Sequence, residues 1–379
     1  MTLAAGPEGD AGASLRPRRR FRPRGRVSAV PAASAVPAAS AVPAVVPVPA
    51  GPAVLSSVPL APVAPATGDP RGVVHHPARA ALRAPVHPLV DHPTHPPAPP
   101  ASRRPGGPWA AWSPCTPQEC LPPRSTTGTL RLARRAAALL SVLAVAAAVV
   151  PVAALLGTRV RGPVLRTLHR AVLRAAGVRL VVRGGPLAPA DGRGALVVAD
   201  HTSWVDVPVL GALGPVTMLA KREVRDWPLI GALAARTGTL FVDREGLSRL
   251  PGTVAACADA LRAGALVGVF PEATTWCGAL CGDYRRAPFQ AALDAGAPVR
   301  PVTVAITTPD GRPTTAAAFV GEQTLGDTVG RVLRLPGLVC EVVVGELVEP
   351  GPHTDRRALA ARARDRVRHP RPATAATTV

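Results

Sequence analysis

From Gly177 onward, short β-branched runs alternate with stretches of helical period. Apolar runs at 178–183, 195–199, 216–220, 239–243, 265–270, 299–305 and 339–345 have the length and composition of strands. Between and after them the pattern predicts helices near 206–213, 228–236, 249–263, 285–295 and 355–368. Strands and helices in that rhythm define an α/β domain: a mixed, largely parallel sheet flanked by helices. In such a sheet the reactive residues gather at strand ends.

Upstream the pattern is different. Ala136 to Gly157, "AAALLSVLAVAAAVVPVAALLG", runs for 22 residues without a charge. As a helix it would be about 33 Å long, enough to reach across a hydrocarbon core. Its alanine content weakens insertion and Pro151 predicts a kink, so a full span and a monotopic or re-entrant seat both fit. Arginines at 131, 134, 135, 159 and 161 lie on both sides, so charge does not orient it. The next stretch, "VLRTLHRAVLRAAG", spaces Arg166, Arg170 and Arg174 at i, i+4 and i+8, with Leu165, Leu168, Val172 and Ala176 on another side. That pattern fits a basic amphipathic helix among phosphate head groups, or a surface helix packed on the domain; its neighbour favours the membrane.

Residues 1–128 are rich in Pro, Ala and Arg and carry a six-residue repeat, "SAVPAASAVPAASAVPAVVPVP". Proline at that density removes backbone donors and opposes helix and sheet alike, so a long disordered N-terminal region is expected. The remaining divisions are 129–176 for the membrane-seating helices, 177–350 for the catalytic domain and 351–379 for a C-terminal helix and tail. The histidines at 75, 76, 87, 92 and 95 have no fixed geometry among so many prolines, and no metal site is expected there.

Composition then narrows the partners. The formal net charge is +20, and Lys221 is the single lysine. "RPRRRFRPRGR", Arg16 to Arg26, holds seven of the arginines. So basic a chain favours an anionic partner. With one Tyr, five Phe and five Trp it lacks the aromatic platforms of a single-strand binder, so membrane phospholipid is expected and specific nucleic acid is not. The six cysteines, at 115, 120, 257, 277, 281 and 340, do not have zinc-ribbon spacing and read as mostly free thiols in a reducing compartment.

The candidate chemistry sits at the end of the run 195–199. "HTSWVD" places His201 where strand becomes loop and Asp206 five residues on. Within one helix such a pair would diverge by about 140°. A histidine at or before the cap, however, can fold back onto the first turn. A carboxylate on one ring nitrogen fixes the tautomer and leaves the other free to take a proton from a hydroxyl. The same spacing also fits a histidine that merely caps a helix. Three more strand ends carry polar groups: "GTLFVDR" ends in Asp243 and Arg244, "VFPEATTW" in Glu272, and "APVRPVTV" holds two prolines, which are normally tolerated only at an edge or a strand start.

Taken in order, "HTSWVD", "FVDR", "FPEATT" and "VRPV" resemble the four blocks of the 1-acyl-glycerol-3-phosphate acyltransferases, within the glycerolipid and lysophospholipid acyltransferase family. The resemblance covers about Gly177 to Pro350. It implies that His201 is the general base on the free hydroxyl of a lysophospholipid acceptor and that Asp206 orients it. Arg244 would hold the acceptor's phosphate, Glu272 and Thr274 would shape its site, and Gly238 and Lys221 would belong to the same acceptor-binding set. It implies an acyl-CoA or acyl carrier protein co-substrate, no cofactor, no metal and no covalent enzyme intermediate. The product would be phosphatidic acid, made at the cell inner membrane by a domain facing the cytoplasm.

Three departures bear on the acceptor. Ala273 stands at the family's usual glycine, making a positive φ harder. Thr275 replaces a common arginine, and Asp200 replaces the asparagine that often precedes the histidine. Another lyso-lipid acceptor, such as a lyso-ornithine lipid, stays open, as does a non-catalytic lipid-binding scaffold.

Overall fold

The computed structural model describes residues 111–123, 127–243 and 247–371. The arginine cluster, the proline repeat, the five N-terminal histidines and Arg244 lie outside the described residues. Residues 111–123, assigned by composition to the N-terminal tail, carry a one-turn helix α1 (Pro117–Cys120). Its N-cap Thr116 accepts a hydrogen bond from Glu119 N, and Pro117 fills a first-turn position where a missing N–H costs nothing.

Two long helices follow, α2 (Thr129–Leu155) and α3 (Thr158–Ala176). α2 starts seven residues before the apolar run and continues through Pro151 for one further turn. α3 closes on Gly177 in the left-handed conformation, φ 76°, and the chain turns directly into β1 (Val178–Gly184). Then come β2 (Ala195–Val198), α4 (Asp206–Leu213), β3 (Val216–Lys221), α5 (Ile230–Arg236), β4 (Leu240–Val242), α6 (Leu250–Arg262), β5 (Leu266–Val269), α7 (Ala287–Ala295), β6 (Val299–Thr307), α8 (Leu325–Arg334), β7 (Leu338–Val344) and α9 (Arg356–Arg368).

The seven strands form one sheet in the order β1-β7-β6-β2-β5-β3-β4. β6, β2, β5, β3 and β4 run parallel; β7 is antiparallel to β6, and β1 runs with β7. The sheet is therefore mixed and largely parallel, as the pattern predicts. β2 shows why the central strands are wholly apolar. Ala195 and Val197 enter the core cluster built with α2, α3, α4 and α8, while Leu196 and Val198 enter the cluster built with α6, α7 and α9. A strand covered on both faces has no polar side to alternate.

Two features differ from the sequence expectation. The proline-bearing strand β6 is central, between β7 and β2, and not at an edge. It escapes the usual penalty because Pro301 falls where the ladder with β7 is already irregular: Val299 bridges Val348 and Val302 pairs with Val344, so three steps on β6 face four on the returning chain. The amphipathic helix α3 packs against α2, α4 and β1, burying Leu173, Ala175 and Ala176. Part of it thus serves the domain, and Gly211 on α4 lets it approach so closely that a side chain there would collide with the His169 ring.

Candidate active site

β2 ends at Val198, and Ala199 and Asp200 lead into a tight turn before α4 begins at Asp206. Folding that turn over the first residue of the helix brings the imidazole and carboxylate together. His201 Nδ1 lies 3.0 Å from Asp206 Oδ2. The same oxygen accepts the backbone N–H groups of Thr202 at 2.7 Å and Ser203 at 2.8 Å. The Asp206 side chain is 1 % exposed and that of His201 is 22 % exposed, so the acid is sealed in while the base meets solvent. An ionised carboxylate accepts from Nδ1–H, which leaves Nε2 as the basic nitrogen.

His201 is fixed by two further contacts from the loop after β5, one on its ring and one on its backbone. Phe270 stacks on the His201 ring with centroids 4.1 Å apart and planes 9° from parallel. Glu272 Oε2 accepts His201 N at 2.9 Å, and Oε1 accepts Gly282 N at 2.5 Å. Glu272 is therefore a buried brace for the histidine's backbone, with both oxygens turned to the protein. Burial, and then the neighbouring Asp200, push its carboxyl well above the usual range. Asp200 accepts the Tyr284 hydroxyl at 2.6 Å and lies 3.8 Å from the Arg368 guanidinium, which also sits 3.9 Å from Glu272. The charge at Asp200 is thus answered within the protein.

Ala273 takes a positive φ of 65°, so the loop keeps the left-handed turn although it lacks the glycine that would favour it. Thr274 and Thr275 follow, half-buried, and the Thr275 hydroxyl donates to Phe319 O. Trp276 N donates to His201 O at 2.8 Å, and Phe319 N to Thr202 O at 2.8 Å, tying these loops into one unit.

Because β2, β5, β3 and β4 are parallel, their C-terminal ends share one edge of the sheet. That edge carries His201, Glu272 and Thr274, and farther along it Lys221, the last residue of β3. Lys221 Nζ lies 5.6 Å from the centroid of the Trp227 ring. Arg222 and Arg249 lie 3.5 and 2.9 Å from Asp243, the residue before Arg244. Gly238, φ 86°, precedes β4, which places it toward the opposite edge of the sheet from His201. The geometry thus joins His201, Asp206 and Glu272, and sets Lys221 apart along the same rim.

Sequence reasoning missed Phe270, Tyr284, Arg368 and Gly282. Tyr284 is the single tyrosine of the chain, which was the one available signal. Arg368 lies in α9, far from the motifs, and nothing local distinguishes it from other helix arginines.

Comparison with known proteins places the chain in a family. The acyltransferase family model matches residues 179–305, the stretch that holds His201, Asp206, Glu272 and Thr274. The lyso-ornithine lipid O-acyltransferase of Pseudomonas aeruginosa is 42% identical over 176 residues, covering 46% of this chain and 66% of that protein. The 1-acyl-sn-glycerol-3-phosphate acyltransferase of Neisseria meningitidis is 31% identical over 192 residues, covering 51% of this chain and 74% of the relative. A solved structure, the 1-acyl-sn-glycerophosphate acyltransferase of Thermotoga maritima, is similar at 19% identity and a TM-score of 0.47, covering 63% of this chain and 92% of that one. The chain belongs to the acyltransferase family, in its glycerolipid and lysophospholipid branch.

Proposed function

We propose that this protein transfers a fatty acyl group from the thioester of acyl-CoA or acyl carrier protein to the free hydroxyl of 1-acyl-glycerol-3-phosphate, at a bilayer surface. The observation that carries the reaction is the His201 Nδ1 to Asp206 Oδ2 contact, which leaves Nε2 to take the hydroxyl proton. The freed oxygen attacks the thioester carbonyl. The tetrahedral intermediate expels the thiolate, which takes the proton back from the imidazolium. Ester and thiol form with no net change at the enzyme, and Asp206 stays ionised throughout to hold the charged ring. Arg244 and Lys221 supply positive charge for the acceptor's phosphate, and Thr274, half-buried two residues after Glu272, gives its site a polar wall.

The bilayer seat is α2, a helix long and apolar enough to cross a membrane. Leu140, Val145, Val152 and Leu155 on α2, with Leu156 and Val160 just beyond it, are exposed large hydrophobics. Since the thioester donors are cytosolic, the sheet faces the cytoplasm.

A second acceptor, a lyso-ornithine lipid, is favoured by the 42% identity to the Pseudomonas aeruginosa protein. Labelled acyl-CoA offered with a panel of lysolipids to membranes bearing the wild type or His201→Ala separates the readings. The first predicts labelled phosphatidic acid that vanishes in the variant. Product only from lyso-ornithine lipid transfers the assignment to that acceptor, and a His201→Ala variant as fast as wild type removes the proposed base.

A further inference from the structure

Two neighbouring cysteines meet a third that is distant in sequence. The Sγ atoms of Cys115, Cys120 and Cys277 all lie within 4.8 Å of one another. Cys115 and Cys120 bracket α1, where the turn closes by Cys120 N donating to Thr116 O at 3.0 Å. Cys277 comes from the loop after β5, one residue past Trp276. Cys115 is 2 % exposed and Cys277 is 4 % exposed, and neither forms a disulfide.

The sulfurs are also met by backbone donors. Cys277 N donates to Cys115 Sγ at 3.4 Å, and Leu280 N to Cys277 Sγ at 3.3 Å. A tetrahedral site with Zn–S bonds of about 2.3 Å sets its sulfurs about 3.8 Å apart, within the observed spread. Soft thiolates exclude magnesium and calcium and select zinc among the abundant ions.

The packing around them leaves such a link something to do. Among the described residues, the apolar cluster that seats residues 111–123 has Trp276, Ala318 and Val320 as its other buried members, with Leu121 and Leu280 packed against it. The Thr315 hydroxyl donates to Cys120 O at 2.6 Å, beside the Cys277 N to Cys115 Sγ bond. That cluster is small beside the two that cover the faces of the sheet, so a metal link would add to what holds the strap. A second trio, Asp200, Glu272 and Cys281, offers no comparable site, because its carboxylates already serve Tyr284, Arg368 and the backbone of His201 and Gly282.

We propose that Cys115, Cys120 and Cys277 bind one zinc ion as thiolates, with a solvent-derived fourth ligand, and that this ion clasps the strap 111–123 onto the loop that braces His201. The ion takes no part in acyl transfer. Its effect reaches the catalytic base through Trp276 N on His201 O and Glu272 on His201 N. The strap is also one wall of a groove of about 1770 Å³ whose other walls include Thr274, Thr275 and Arg331, so releasing the clasp would open that groove. None of this depends on which lysolipid is the acceptor.

The test uses the reduced full-length protein, loaded with zinc or cobalt(II) and desalted. One equivalent of zinc per chain is expected. The cobalt form should show sulfur-to-metal charge-transfer absorption and the strong visible bands of a tetrahedral site. Cys277→Ser and the milder Cys120→Ser should lose that stoichiometric metal, while Cys257→Ser, at a buried cysteine outside the cluster, should keep it. Wild type that takes up neither metal, or binds cobalt without the sulfur bands, overturns the proposal. So does Cys120→Ser with undiminished zinc. Should Cys277→Ser not fold, alkylation mapping of wild type decides: chelator must expose Cys115, Cys120 and Cys277 and zinc must protect them again. Protection at other cysteines, or unaffected by chelator, sinks the site.

Discussion

Asp206 Oδ2 receives three donors at once, the His201 ring nitrogen and the backbone N–H groups of Thr202 and Ser203. One atom thus builds the turn and aims the base. In Asp206→Asn the amide oxygen can still accept these donors, but it brings no charge to hold an imidazolium. We expect acyl transfer to fall by about 10²- to 10⁴-fold with the far-ultraviolet circular dichroism unchanged. Initial rates with labelled thioester at saturating acceptor check this, and a loss of less than threefold would show that the carboxylate's charge is not used.

Glu272 gives a pH dependence whose sign follows from its environment. Burial and then Asp200 hold its native carboxyl well above the ordinary 4.5. The native state therefore keeps a proton that the unfolded chain has released. The stabilisation is complete below 4.5 and fades as pH rises through the native value. Glu272→Gln removes the titration and also sets an amide NH₂ against one of the two backbone N–H donors, a cost of about 1–3 kcal/mol. The variant should melt lower than wild type in acid, and the gap should narrow as pH rises. Melting curves of both proteins from about pH 4 to 8 test it; a gap that widens with pH contradicts the assignment.

Ala273 holds φ 65° in the loop between Glu272 and Thr274. A left-handed residue with a Cβ costs about 1–2 kcal/mol, and glycine gives back about 0.4–1 kcal/mol through a freer unfolded chain. Ala273→Gly should therefore stabilise by about 0.5–1 kcal/mol, raising the melting point by roughly 1–4 °C. Calorimetry at fixed pH measures it, and a variant that melts lower than wild type would show that the loop is unstrained.

Much of this architecture was legible because buried parallel strands are uniform apolar runs. Each of the seven strands coincides with such a run within a residue or two at either end, and α4 begins and ends where its pattern does. α8 was not legible: Gly326 and Gly330 lower its helix propensity, and its start is signalled by a Thr324–Asp327 capping box whose acid is Asp, not the commoner Glu or Gln. His201 and Asp206 could be paired from sequence because both lie within one turn. Their supports could not, since Tyr284 and Arg368 reach Asp200 across 84 and 168 residues of chain. The cysteine trio failed for the same reason. Cys120 and Cys277 are separated by 157 positions, and only the packing of the strap on the loop after β5 brings them together.

The seat on the membrane can be tested apart from the chemistry. Val145 lies near the middle of α2 and is 52 % exposed, so a change there leaves the protein core untouched. An aspartate at the centre of an inserted helix costs about 2.5–3.5 kcal/mol, which lowers insertion on the order of 100-fold. Val145→Asp should therefore leave the alkali-washed membrane pellet and appear in the supernatant. The same substitution lies far along the chain from His201, so transfer to lysolipid in detergent micelles should stay within about twofold of wild type, the usual small effect of a surface change. Retention of Val145→Asp in the washed membranes at the wild-type level would mean that α2 is not the anchor, and that α3 or the basic N-terminal region holds the protein to the bilayer instead.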